Sequence, residues 1–303
     1  MILRWLPIFA PALLGLILSI WYNHSELANP TFVLRAQMSA VIAIAGIGLS
    51  FLAAVGLLLS DWVERRHIKT LIEAADERRR FLSRLDHELK NPLTAIFAGL
   101  ANLTSDVPAE ERKASTASIE AQMKRLRSLV SDLRKLADLE TRQLELAPVD
   151  LSELLRDNYE LLQERAGPDS RQINLSIPQA PWPLPQVSGD RDLLFLAVHN
   201  LLDNALKFSG PGDAIELRAY EDGSNVVIEV ADTGPGIPES EQAHVWNELY
   251  RGEGARGTSG SGLGLALVRS IVQRHGGKVT LRSRLGQGTV FALQLPASDV
   301  TRR

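Results

Sequence analysis

Apolar residues crowd the first 60 positions of the chain and then thin to a periodic stripe. Residues 5–22 are apolar except for Ser19, and residues 38–60 are apolar with scattered Ser and Gly. At 1.5 Å rise per residue, each stretch is long enough to cross a hydrocarbon core about 30 Å thick. Residues 1–60 are therefore expected to form two transmembrane helices joined by a short external loop. Trp5, Trp21, Tyr22 and Trp62 sit at the ends of these stretches, where amphipathic rings favour the membrane interface. Arg65, Arg66 and Lys69 follow the second stretch and Arg4 precedes the first, while Asn23 to Gln37 contains only Arg35. The positive-inside rule then puts both termini in the cytoplasm. The intervening loop is too short for a folded ligand-binding domain, so a stimulus would arrive through the membrane, a partner membrane protein or the cytoplasm. A cleaved signal peptide is the competing reading of the first stretch, but no small-residue cleavage site stands out and a second apolar span follows closely.

Beyond Trp62 the pattern changes. Ile68, Leu71, Ala75, Leu82, Leu85 and Leu89 fall on three- and four-residue steps, interrupted at Arg78, which is a heptad seam. No proline lies between Asp61 and Asn91, so residues 61–80 read as a signalling helix continuing the second span. Thr104, Ser105, Asp106 and Pro108 mark a turn, and Ile119, Leu126, Leu129, Leu133 and Leu136 form a second stripe. Residues 81–147 thus predict a helical hairpin. Two such helices cannot bury their seams alone, and pairing with a second copy in an antiparallel four-helix bundle solves this.

Residues 148–297 read as a separate α/β domain. After Pro148 a helix begins with Asp150 or Ser152 as cap. A strand over 173–177 and a proline-rich loop over 178–189 come next. A helix over 190–208 buries Leu193, Leu194, Ala197, Val198, Leu201, Leu202 and Ala205. Residues 215–220 and 226–230 predict a hairpin, and 278–295 a second one around Gly286 and Gly288. A helix ending at Gly276-Gly277 separates them. This order suggests an α/β sandwich with helices on one face of a mixed sheet, with 298–303 as a tail. The chain is therefore multidomain.

The net charge of −3 over 303 residues gives no reason to expect direct contact with nucleic acid. With no cysteine, disulfides and thiolate metal sites are excluded.

The candidate chemistry begins at His87. It is followed by Glu88, then Asn91 and Pro92, giving an imidazole nucleophile, a proton acceptor and a positioning amide within about one helical turn. Pro92 removes a backbone donor and tends to bend the helix there. An isolated His-Glu pair on a helix is usually a solvated face, so the rest of the chain matters. Asn200, Asn204 and Lys207 lie on one helical stripe; amide oxygens suit Mg²⁺ and lysine suits phosphate. Asp232 ends a strand and is followed by Gly234 and Gly236, an acceptor for an exocyclic amine beside backbone that permits close approach. Residues 252–262, with Gly257, Gly260 and Gly262, read as a lid. Gly264 opens a helix whose N-terminal amides favour phosphate. No Walker-type Gly-x-x-x-x-Gly-Lys-Ser/Thr occurs.

As an ordered set, these motifs resemble the bacterial two-component sensor histidine kinases over nearly all of residues 79–295. The resemblance implies a phosphoacceptor hairpin in a dimeric bundle and a catalytic ATP-binding domain of the Bergerat (GHKL-like) fold. It makes His87 the phosphoacceptor, Glu88 its base, and Asn91 the group that orients the γ-phosphate or an attacking water. It makes Asn204 the main Mg²⁺ ligand, with Asn200 and Lys207 near the phosphates and Phe208 against adenine. Asp232 would read adenine, and Gly234, Gly236, Gly260, Gly262 and Gly264 would shape the pocket and lid. Relatives often carry phenylalanines where this chain has Leu249 and Tyr250; Arg251 remains a candidate phosphate contact. The implied partners are ATP, Mg²⁺, a second copy, a response regulator, membrane lipid and a membrane protein that senses the stimulus. The implied location is the bacterial inner membrane, with the catalytic part cytoplasmic. Two other readings are a membrane-anchored ATP-binding scaffold and a GHKL-type ATPase without autokinase activity.

Overall fold

The computed structural model describes residues 6–25, 37–104, 108–166, 171–179, 182–255, 258 and 260–298. Arg4, Trp5, Arg35 and most of the expected external loop lie outside these residues, as do Ser105, Asp106, Gly257 and the end of the tail. The chain divides into two compact units, Met1–Arg80 and Phe81–Arg303.

In the first unit, α1 (Leu6–His24) packs against the start of α2 (Met38–Thr104). The Ala12 N–H donates to Ser50 Oγ and the Ser19 hydroxyl donates to the Ser39 carbonyl, both at 2.9 Å. These pairings run antiparallel. A Cβ on Gly15 would lie 3.2 Å from Gly46 Cα, so small residues let the two backbones approach. Among the described residues one helix, Met38–Arg66, is long and apolar enough to cross a membrane; the apolar stretch of α1 is the shorter Ala12–His24. The expectation of two full spans is thus met by one such helix and a shorter apolar partner. Beyond the apolar segment Arg65 pairs with Asp61, and the Arg66 guanidinium lies 4.7 Å from the Trp62 ring centre.

The second unit contains the end of α2, the helix α3 (Ala109–Thr141) and an α/β layer. Gly99 allows the two helices of the hairpin to meet, since a Cβ there would lie 2.8 Å from Ile119. Two members of the α3 stripe, Leu129 and Leu136, are covered within this chain and not by a second copy: with Leu139 they are buried in the same apolar cluster as the α/β layer. The reason is α7 (Gly264–Arg274), which packs on α3. Its Arg274 guanidinium donates to the carbonyls of Leu139 and Arg142 at the end of that helix.

Five strands, β2 (Gln172–Ser176), β4 (Ala214–Asp222), β5 (Asn225–Asp232), β6 (Lys278–Arg284) and β7 (Gly288–Pro296), form one sheet in the order β2-β4-β5-β7-β6. The β2–β4 pair is parallel and the others antiparallel. Alternation puts Ile215 and Leu217 of β4 and Ile228 and Val230 of β5 into the core, each at most 1% exposed. Against this face lie α4 (Leu151–Ala166), α5 (Arg191–Phe208) and α7, with Leu154, Leu201 and Ile271 at 0% exposure.

Asp150 caps α4, its Oδ1 accepting from the Ser152 and Glu153 N–H groups; Ser152 is buried and does not serve as cap. Asp190 caps α5, accepting from the Leu193 N–H. The Asp190 N–H in turn donates to His275 Nε2 at 2.9 Å, and His275 Nδ1 lies 2.7 Å from the Ile271 carbonyl. That arrangement fits the neutral tautomer with its proton on Nδ1. The supposed loop before α5 contains β3 (Val187–Gly189), paired antiparallel with β1 (Ala147–Val149). Each strand is three residues long, too short for a period-2 pattern to register.

Candidate active site

A cavity of about 1150 Å³ opens in the second unit, walled on one side by α3 and on the other by α5, the start of α7 and the loops after β5. The apolar face of α5 that packs on the sheet fixes the helix rotation. That rotation turns Asn200, Asn204 and Lys207 to the cavity, with Phe208 at the end of the helix. Asn200 Nδ2 donates to the Leu196 carbonyl at 2.8 Å. Its oxygen is left toward α7, where a Cβ on Gly264 would lie 3.2 Å from it. Lys207 Nζ is 2.5 Å from the Asp203 carboxylate, whose other oxygen is 3.1 Å from Arg165.

Asp232 lines the cavity from the end of β5. Burial pushes its carboxyl above the usual range; the backbone N–H groups of Gly234 and Thr289, donating to it, oppose that shift. A carboxyl group thus stands in a partly desolvated part of the cavity wall. Gly234 supports Asp232 by donating its N–H to Oδ1 at 3.0 Å, and a Cβ there would strike the Phe208 carbonyl at 2.8 Å. Gly236, Gly260, Gly262, Gly264 and Arg251 line the cavity. Gly262 takes a positive φ of 74° and lies against the Leu249–Tyr250 backbone, where a Cβ would meet atoms at 3.0 Å. Leu249 itself has φ 59° and is buried, a rare conformation for a branched side chain. Arg251 donates to the Ala255 and Thr258 carbonyls.

His87, Glu88 and Asn91 stand on α2 outside this wall; His87 and Asn91 are exposed and Glu88 is half-buried. The hairpin reaches the cavity through α3 instead, with Gln122, Arg125, Asp132 and Lys135. Sequence reasoning missed these residues. Asp132 accepts from the Ser261 hydroxyl at 2.6 Å, tying the glycine loop to α3.

Residues 77–142 match the family described as the His Kinase A (phospho-acceptor) domain, and residues 189–299 match the family described as histidine kinase-, DNA gyrase B- and HSP90-like ATPase. The chain therefore carries, in this order, a phospho-acceptor domain and an ATPase domain of the types found in histidine kinases. Among curated histidine kinases and sensors it is 34% identical to the signal transduction histidine-protein kinase/phosphatase MprB of Mycolicibacterium paratuberculosis, over 77% of this chain and 46% of that protein. It is also 34% identical to the alginate biosynthesis sensor protein KinB of Pseudomonas aeruginosa, over 79% of this chain and 39% of that protein. The chain therefore spans less than half the length of these relatives. Among solved kinases, full-length ShkA in complex with AMPPNP aligns with a TM-score of 0.52 at 33% identity, covering 72% of this chain and 45% of ShkA. The histidine kinase ThkA, solved with the response regulator TrrA, shares the fold with a TM-score of 0.58 at 23% identity, over 73% of this chain and 64% of that one.

Among the described residues no group of three or more His, Cys, Asp or Glu side chains is placed to hold a metal ion. A divalent ion in this cavity would need most of its ligands from phosphate and water. The neutral amide of Asn204 fits that division of labour, because Mg²⁺ keeps several waters and shares its shell with substrate phosphates.

Proposed function

We propose that this chain is a membrane-anchored sensor kinase that moves the γ-phosphoryl group of ATP, bound with Mg²⁺, to the imidazole of His87. The observation that carries this reading is one compact unit holding both the His87-Glu88 helix and a cavity lined by Asn204, Lys207 and Asp232. A ring nitrogen of His87 attacks the γ-phosphorus in line. The bond from that phosphorus to the bridging oxygen breaks, ADP leaves with the bonding electrons, and the imidazole proton passes to Glu88. Asp232 accepts from the adenine amine, Phe208 lies against the base, and Asn200, Lys207 and Arg251 hold phosphate oxygens. Gly234 fixes Asp232, while Gly236, Gly260, Gly262 and Gly264 leave room for backbone to approach the nucleotide. Asn204 would hold Mg²⁺, which neutralises phosphate charge when bound. Asn91 orients the γ-phosphate and, in the reverse reaction, a hydrolytic water; the name kinase/phosphatase of the relative MprB agrees with that second activity.

Residues 81–147 would pair with a second copy. Leu93, Phe97 and Leu100 on α2 and Met123 and Val130 on α3 are 43–68% exposed, an apolar surface that a four-helix bundle would cover. The phosphoryl group would pass to an aspartate of a response regulator, as in the family at large. We place residues 1–60 in a bacterial inner membrane as two spans, with the catalytic part in the cytoplasm and sensing through lipid or a partner membrane protein. The antiparallel α1–α2 contact through Gly15 and Gly46, bridged by Ser19 and Ser50, supports this.

Full-length protein in lipid, given ATP labelled at the γ-phosphate with Mg²⁺, should take up acid-labile, alkali-stable label. His87→Ala should take up none, and Asn204→Ala less than about 1% of wild type, the loss expected when charge neutralisation at phosphate fails. Equal labelling of His87→Ala would sink the reading.

A further inference from the structure

The nucleotide cavity and the proposed base Glu88 are linked by one side chain that the motifs did not indicate. Arg125 of α3 donates from Nη2 to Glu88 Oε2 at 2.7 Å, with the two side chains 33% and 20% exposed. Arg125 also lines the cavity. A partly exposed ion pair contributes little to stability, so its placement, not its stabilising effect, calls for explanation. Arg251, across the cavity wall, feels both partners. Burial and the nearby charge of Arg125 lower its pKa, and Glu88 opposes them. Two guanidinium groups and one carboxylate therefore share a small volume at the edge of the cavity. Like charges on Arg125 and Arg251 make an anion between them favourable, and guanidinium donors suit phosphoryl oxygens.

We propose that Arg125 is a further catalytic residue for phosphoryl transfer: before ATP arrives it holds the Glu88 carboxylate, and it then offers its donors to the terminal phosphoryl group. The inference rests on the kinase reading above. Phosphoryl oxygens entering the cavity compete with Glu88 for the guanidinium. As Arg125 turns to them, the carboxylate loosens from its ion pair and becomes the stronger proton acceptor. Base activation is thereby coupled to arrival of the group to be transferred. No bond is made or broken at Arg125.

Single-turnover labelling at saturating ATP, with full-length protein in lipid, tests this beside equilibrium ATP binding. Arg125→Gln should slow transfer roughly 10–100-fold, the cost of misplacing a catalytic group, and leave the ATP Kd within about threefold. Arg125→Lys should recover part of the rate, since a point charge replaces the fork. Adding Arg125→Gln to Glu88→Gln should slow transfer no further than about threefold, because the two act as a unit. Three results would overturn the inference: an unchanged rate in Arg125→Gln, a rate loss matched by an equal loss of ATP affinity, or additive effects in the double variant. The kinase reading fails separately, if wild type takes up no label or His87→Ala does.

Discussion

Asp232→Asn is expected to weaken ATP binding roughly 10–100-fold, the factor that corresponds to losing a hydrogen bond to a charged group worth about 1.5–3 kcal/mol. The carboxylate lines the cavity and is held by the Gly234 and Thr289 amides. An amide at this position keeps the size but presents a donor as readily as an acceptor. The stability of the fold should move the other way. Burial raises the folded-state pKa of Asp232 above its ordinary value, so the folded protein binds this proton more tightly than the unfolded chain. Stability from this group is greatest below the unfolded pKa and is lost as pH rises through the raised folded value. At neutral pH the ionised carboxylate is a net cost, and Asp232→Asn should melt at the same temperature as wild type or higher. ATP affinity of the wild type should also fall as pH drops through the raised pKa, because the neutral acid is a poorer acceptor; that fall should be absent in Asp232→Asn. Equilibrium ATP binding and thermal melts across pH check both statements.

Gly236→Ala should damage the fold of the site itself. Gly236 has φ 71°, and a Cβ there would lie 2.1 Å from the Arg284 carbonyl oxygen, with the Leu285 Cα at 3.1 Å. The positive φ alone costs a non-glycine residue about 1–2 kcal/mol. The overlap with fixed backbone forces the loop after β5 away from the β6–β7 turn, so the total is about 3 kcal/mol or more. Gly286 N–H donates to the Pro235 carbonyl at 2.7 Å in this same contact. The expected result is a lower melting temperature for the catalytic domain together with lost ATP binding. A melt unchanged from wild type would contradict the packing described here. Gly286→Ala provides the contrast: its φ is also positive but a Cβ meets nothing within 4 Å, so only the conformational cost applies.

Much of the site was legible because helical and strand periods constrain rotation. Leu194, Leu201 and Ala205 had to face the sheet, which left Asn200, Asn204 and Lys207 on the neighbouring stripe, where they line the cavity. Asp232 was legible for a similar reason, as the acid closing an apolar strand before two glycines. Arg125, Asp132 and Lys135 were not. Charged residues on a helix read as solvated until another element packs over them, and α7 and the glycine loop come from more than 120 positions further along the chain. The same long-range contact explains Leu129 and Leu136. Their stripe indicates burial, but periodicity does not say whether the cover is a second copy or the chain's own α/β layer. The paired β1 and β3 escaped because three-residue strands carry no readable alternation.

The central claim is that the cavity's nucleotide phosphorylates one imidazole. The most direct test is fragmentation mass spectrometry at alkaline pH on full-length protein incubated in lipid with Mg²⁺ and ATP, locating the phosphoryl group on the peptide containing His87. The account predicts phosphohistidine at residue 87 and at none of the other five histidines. A phosphoryl group on a different histidine, or on Ser83 or Thr94 nearby, would contradict it.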